Sequence, residues 1–126
     1  MMLKNNQGPF ISASADSAML STAEKFLYEL EKSDEALSVQ DYCDRLHVSQ
    51  SYLCRCTLAI IQLSPQSLII QHRLYRSLTL LADPDLSVRQ ISEQLHYLHP
   101  SYFSKQFKAT FSLTPNAYRR IYYRKP

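Results

Sequence analysis

The chain has 126 residues, 45% of them hydrophobic, and its 14 Lys/Arg against 11 Asp/Glu leave a net charge of +3. That composition suits one small soluble core and argues against a membrane span, because no apolar run approaches the roughly 18 residues that a span needs. Lys4-Asn5-Asn6-Gln7 is followed by no long apolar stretch, so no secretory signal is expected, and an odd count of 3 cysteines argues for a reducing cytoplasm over a disulfide framework.

Residues 1–17, with Gly8-Pro9 and several Ser, Asn and Ala, read as a flexible N-terminal arm. A first amphipathic helix is predicted from about Ala18 to Lys32, with Met19, Ala23, Phe26, Leu27 and Leu30 facing the core. Beyond it a block of sequence occurs twice. Leu37-Ser38-Val39, Leu46-His47, Ser51-Tyr52-Leu53, Arg55 and Leu63-Ser64-Pro65 return as Leu86-Ser87-Val88, Leu95-His96, Ser101-Tyr102-Phe103, Lys105 and Leu113-Thr114-Pro115. The offset is 49 residues as far as His96 and 50 after it, so the second copy carries one extra residue in its turn. Two copies make a duplicated module, since a solenoid needs three or more to bury its faces.

Each copy has the same internal grammar. Ser38 and Ser87 stand as N-caps, with Asp41 and Gln90 three residues on to complete a capping box. Val39, Tyr42, Cys43 and Leu46 keep helical spacing, as do Val88, Ile91, Ser92 and Leu95. A second helix follows after a turn of three or four residues, from about Ser49 to Ile61 and from about His99 to Phe111. Two helices joined so tightly form a helix-turn-helix, whose second helix enters the DNA major groove in known examples. Between the copies, Ser64-Pro65 starts a linker helix through Leu68, Ile69, Arg73 and Leu78 to about Leu81, where Asp83-Pro84-Asp85 stops it. Thr114-Pro115 starts a last helix, with Ala117, Tyr118 and Ile121 as candidate core residues. The expected fold is therefore all-α: about seven helices, with helix-turn-helix units at about 37–63 and 86–113 joined by a long central helix at about 65–81, all within 18–126.

Leu37-Ser38-Val39 to Pro65, and Asp85-Leu86-Ser87-Val88 through Ser101-Tyr102-Phe103-Ser104-Lys105-Gln106-Phe107-Lys108 to Leu113-Thr114-Pro115 and Tyr118-Arg119, resemble the DNA-binding domain of AraC/XylS-type bacterial transcription regulators. The resemblance covers roughly Met19 to Tyr122 and is more specific in its second half. It implies two helix-turn-helix units bridged by one long helix, with a recognition helix in each. It also implies transcription control, often activation through contact with RNA polymerase. The family usually attaches an effector-sensing or dimerisation domain; none is visible here, so the chain is either a part of a longer regulator or a stand-alone one. Where the family has Gly in each turn and before each Ser/Thr-Pro, this chain has His47, His96, Gln62 and Ser112. His tolerates the left-handed region better than most residues, so His47 and His96 are expected there. Thr57-Leu58-Ala59 also stands where the second copy has Phe107-Lys108-Ala109, so the first recognition helix lacks the family's core aromatic and following base.

Charge is polarised along the chain: up to Asp44 there are three Lys/Arg and eight Asp/Glu, and from Arg45 onward eleven against three. A basic half in a nearly neutral chain is what a phosphate-facing surface produces, because Lys and Arg displace condensed counterions there. Helix spacing puts Ser51, Cys54 and Arg55 on one face of the first recognition helix, and Pro100, Ser101, Ser104 and Lys105 on the matching face of the second. Arg55 suits a bidentate pair to guanine and Lys105 a contact to the same base edge, with phosphate contact as the alternative for both; Lys108 adds a phosphate contact. Tyr52 and Tyr102 flank these faces, and half-buried packing with the hydroxyl outward is preferred over base contact for both. The partner is accordingly double-stranded DNA. Cys43, His47, Cys54 and Cys56 crowd one helix pair, but Cys54 and Cys56 point about 200° apart and do not converge as tetrahedral zinc requires. No cofactor, metal or catalytic constellation is expected. The rival reading is a helical protein-interaction module that keeps the fold without DNA binding, suggested by the altered first recognition helix and the small net charge.

Overall fold

The computed structural model describes residues 16–33 and 36–123. Within them are seven α-helices and no strand: α1 (Ser17–Lys32), α2 (Val39–Leu46), α3 (Gln50–Ile60), α4 (Pro65–Leu81), α5 (Val88–Gln94), α6 (Pro100–Phe111) and α7 (Pro115–Tyr122). The chain forms two compact units that divide between Ile70 and Gln71, inside α4. The N-terminal arm, apart from Asp16 and Ser17, lies outside the described residues. Asp16 is the N-cap of α1, its carboxylate accepting from the Met19 amide at 2.8 Å, so the helix begins slightly before the expected residue.

In the first unit α1 packs on α2 and α3. Phe26, Leu30, Tyr42, Cys43, Leu53, Leu68 and Ile69 form the core, and the Phe26 ring meets Tyr42 edge-on with centroids 5.2 Å apart. Burial of Cys43 pushes its thiol pKa up, and the neighbouring Asp44 carboxylate pushes it further, so the thiol stays neutral. Leu27 was expected in this core and is exposed: the buried stripe of α1 is only Ala23, Phe26 and Leu30, and Leu27 falls on the flank with Leu20.

The second unit is built on aromatic rings. Phe103 and Phe107 are fully buried and their centroids lie 5.8 Å apart; Phe107 also meets Phe111 at 4.7 Å and Tyr118 of α7 at 5.7 Å. Tyr75 of α4 packs edge-on against Phe111 at 5.7 Å. Ile121, a predicted core residue, is 58% exposed, because on this short helix Pro115 and Tyr118 already face the aromatic cluster.

Both units begin with the same cap. The Ser38 hydroxyl accepts from the Asp41 amide and the Asp41 carboxylate accepts from the Ser38 amide, at 3.1 and 2.8 Å; Ser87 and Gln90 repeat this at 3.0 and 2.8 Å. Those backbone and side-chain bonds from Ser38 hold the Asp41 carboxyl below its ordinary pKa. Each short helix also ends alike. His47 and His96 take positive φ of 59° and 69°, and the next amide folds back to a carbonyl five residues earlier, Val48 to Cys43 at 3.1 Å and Tyr97 to Ser92 at 2.9 Å. That is the Schellman stop, normally made by glycine. Gln62 and Ser112 complete the set at φ 67° and 66°, so all four family glycine positions are left-handed without a glycine.

Candidate nucleic-acid interface

In the first unit α3 follows α2 directly, its N-cap Ser49 accepting from the Tyr52 amide at 3.1 Å. Leu53, Cys56 and Thr57 are buried and anchor one face, which turns Ser51, Arg55 and Leu58 outward. Cys54 and Tyr52 flank that face half-buried. The Arg55 guanidinium stands over the Tyr52 ring, 5.4 Å from its centroid. The Tyr52 hydroxyl interacts with Cys56 and with Thr22 of α1, and partial loss of water followed by the Cys56 thiol raises its pKa. Tyr52 is half-buried and its ring carries Arg55, but its hydroxyl turns toward Cys56 and Thr22 and not outward as expected, because α1 packs against that side of α3.

A contact that the sequence pattern did not reveal lies at the start of α3. The Gln50 amide donates to the Gln40 side-chain oxygen at 2.7 Å, and Gln40 in turn donates to the Asp44 carboxylate at 2.8 Å. This chain of amides ties the outer surface of α2 to the first turn of α3 and fixes Gln50 beside Ser51.

In the second unit burial of Phe103 and Phe107 turns Ser101, Tyr102, Lys105, Lys108 and Ala109 outward. Pro100, at the first helical position, and Ser104 are half-buried at the edges of this face. The second unit thus brings Ser101, Lys105 and Lys108 onto one surface, as the first does Ser51 and Arg55, while Cys54, Pro100 and Ser104 sit at the margins. Tyr102 is 57% exposed and meets Tyr97 edge-on at 6.2 Å. Tyr97 is buried under the turn and donates its hydroxyl to the Gln106 side-chain oxygen at 2.6 Å. Burial raises its pKa, and the Arg73 guanidinium, 5.4 Å from its ring centroid, opposes that. The buried Tyr97 therefore ties the turn to α6, packing on Phe103 with centroids 5.3 Å apart and bonding Gln106 one turn further on.

Charge divides between the units. Up to Ile70 there are five Lys/Arg and eight Asp/Glu, a charge of −3; from Gln71 there are nine and three, a charge of +6. One of these cations is not a surface charge. Arg119 is half-buried and donates to the Leu81 and Asp83 carbonyls at 3.1 and 3.2 Å, closing the C-terminal end of α4. Sequence proximity gave no signal for this bond, which spans 38 residues. The Arg124-Lys125 pair lies outside the described residues.

A helix-turn-helix domain family matches residues 42–121. The Msm operon regulatory protein of Streptococcus mutans is 32% identical over 109 residues, 86% of this chain and 38% of that protein. Among solved structures, an AraC-type DNA-binding domain-containing transcriptional regulator from Chromobacterium violaceum superposes with a TM-score of 0.74 at 23% identity, covering 82% of this chain and 94% of that one. The DNA-binding domain of AdpA, solved in complex with a target DNA, gives 0.71 at 24% identity over 80% and 91%. Duplicated helix-turn-helix units whose second helices turn polar faces outward, together with these relatives, define a DNA-binding transcription regulator domain. The chain belongs to the AraC/XylS family. It spans well under half the length of the Msm protein.

Proposed function

We propose that this chain recognises double-stranded DNA through α3 and α6, each set into a major groove, and that one chain addresses two successive half-sites. The observation that carries this is the pairing of outward faces: Ser51 and Arg55 on α3, and Ser101, Lys105 and Lys108 on α6, each on the second helix of a helix-turn-helix. The 17 residues of α4 form one unbroken helix about 25 Å long at 1.5 Å per residue. Successive major grooves lie about 34 Å apart, and any mismatch with the two half-sites would be met by bending the DNA at about 1–6 kcal/mol.

Arg55 is the reader in the first half-site, with Gln50, Ser51, Tyr52 and Cys54 around it. Lys105 reads in the second, with Pro100, Ser101, Tyr102 and Ser104 around it, and Lys108 grips phosphate. Among the described residues no single helix is long and apolar enough to cross a membrane, and a DNA partner would keep the protein in the cytoplasm. Activation through RNA polymerase, and an effector-sensing or dimerisation domain outside this sequence, are what family membership suggests for the whole regulator.

Selection from pooled random duplexes tests the reading: a motif with two half-sites supports it. No enrichment at low salt would favour the protein-interaction module instead. On the selected site Arg55→Ala should cost about 1–3 kcal/mol and relax one or two positions. Lys108→Ala should weaken all sequences alike and lower the log-salt slope by about one. A motif unchanged by Arg55→Ala but rewritten by Lys108→Ala would reverse these roles.

A further inference from the structure

The extra residue in the second copy's turn has a place in the fold that the first copy lacks. In the first unit Val48 passes directly to the N-cap Ser49. In the second, Leu98 intervenes between Tyr97 and the N-cap His99, and its side chain is 92% exposed, the most open of the large exposed hydrophobics. It packs into no core, yet it is not an isolated surface leucine. Leu98, Tyr97 and Tyr102 line an open hollow of about 420 Å³, with Arg73, His96 and His99 around it. The hollow opens beside the first turn of α6, on the element whose N-terminal residues reach base edges when a recognition helix docks. His99 makes no side-chain cap there, so no side chain of the N-cap covers the first amides of α6.

We infer that Leu98 and Tyr102 form an apolar wall that reads the 5-methyl group of a thymine in the half-site bound by α6. This rests on the DNA-binding reading above. DNA is the occupant favoured by charge, since the unit holding the hollow carries +6 and the wall adjoins its exposed Lys105 face. The methyl is the one apolar group that a base pair presents in the major groove, and it distinguishes thymine from the other bases. Leu98 supplies an aliphatic contact without a hydrogen bond, so it specifies a methyl and not a polar edge. The first unit has no residue equivalent to Leu98, so the methyl dependence that Leu98 confers belongs to the second half-site.

The test uses the whole chain and its selected duplex, with each thymine replaced in turn by uracil to remove only the methyl. For the unsubstituted chain, one position in the second half-site should weaken binding about fourfold, the worth of one buried methyl. Leu98→Ala should bind the thymine duplex about that much more weakly and show no further loss with uracil there. Leu98→Met should keep part of the discrimination. Because Leu98 is exposed, the melting temperature of each variant should match that of the unsubstituted chain, which separates lost reading from lost folding.

Equal uracil effects in the unsubstituted chain and Leu98→Ala, or a second half-site lacking thymine near the start of α6, would overturn this inference while leaving DNA binding intact. Full retention of duplex affinity by Leu98→Ala would overturn it in favour of a protein partner for the wall. Failure of the unsubstituted chain to select any duplex would overturn the DNA-binding reading itself, and this inference with it.

Discussion

Two left-handed positions, one in each unit, allow the backbone argument to be tested apart from DNA. His47 has φ 59° and ψ 43°, and Ser112 has φ 66° and ψ 9°; both side chains are exposed, so little packing is lost on substitution. An L-residue in this region costs roughly 1–2 kcal/mol through the clash of Cβ with the following carbonyl. Glycine removes that cost but gives the unfolded chain extra freedom worth about 0.4–1 kcal/mol. The difference predicts that His47→Gly and Ser112→Gly each stabilise by about 0–1.6 kcal/mol. His47→Ala and Ser112→Ala should be neutral or destabilising, because alanine keeps Cβ and gains nothing. The decisive quantity is the order of glycine and alanine at one site, read from urea midpoints and from melting temperatures, where 1 kcal/mol corresponds to roughly 4 °C. Glycine above alanine marks a left-handed site. Alanine above glycine by about 1 kcal/mol, the order of an ordinary helix interior, would refute the assigned turn geometry at that residue.

The paired cores predict unequal losses: Phe107→Ala should cost about 3–5 kcal/mol in urea melts because its ring is fully buried among Phe103, Phe111 and Tyr118. Thr57→Ala, at the equivalent repeat position, should cost about 1 kcal/mol, since it removes one methyl and a long 3.4 Å bond to the Cys54 carbonyl; equal losses would show that the repeat misplaces the core. Arg119→Ala should destabilise by about 1 kcal/mol through the bond lost to the buried Leu81 at the end of α4, the Asp83 carbonyl keeping its bond from the Leu86 amide, and Arg119→Lys should recover only part of this in the same melts. The capping boxes should respond differently to acid. Asp41 has a folded pKa depressed below its ordinary 3.8, so its contribution is present above that value and lost as pH falls through the folded one. Urea midpoints measured between pH 5 and 2 should show this loss in the unsubstituted chain and not in Asp41→Asn, whereas Gln90, in the same role in the second unit, does not titrate.

What was legible in the sequence was what neighbours along the chain decide. Ser38, Ser87 and Thr114 were each recognisable at helix starts because their bonds close within three residues. His47 and His96 were recognisable as turn residues because a helical run stopped there and restarted at once. The outward placement of Ser51, Arg55, Ser101, Lys105 and Lys108 followed from the spacing of Leu53, Cys56, Phe103 and Phe107. Less legible was anything set by a partner element. Leu27 and Ile121 satisfy an apolar period, yet period alone does not say how wide a stripe the neighbouring helices cover. Arg119 carried no sign of its bonds because its carbonyl partners lie at the far end of another helix. Gln40 and Gln50, ten residues apart, carried no pattern that would pair them.

The asymmetry of the two units has a consequence for how such a duplication works on a polyanion. The first unit, at −3, gains little from phosphate attraction over its whole surface, whereas the second, at +6, gains much. If each acted alone, the first would bind DNA weakly whatever the quality of the Arg55 contact. Covalent linkage in one chain would remove that difficulty, since on the proposed reading docking of the second unit makes engagement of the first an intramolecular step at high effective concentration. On the proposed reading, the acidic unit would then add selectivity without adding to indiscriminate binding. Low non-specific affinity in the half that carries Arg55 would be an advantage where competing sites outnumber the target, because specificity is a ratio of affinities and not the tightness of either contact. The salt dependence of binding should therefore arise chiefly from the second unit, and the base preference contributed by Arg55 should persist at salt concentrations that strip the contribution of Lys108.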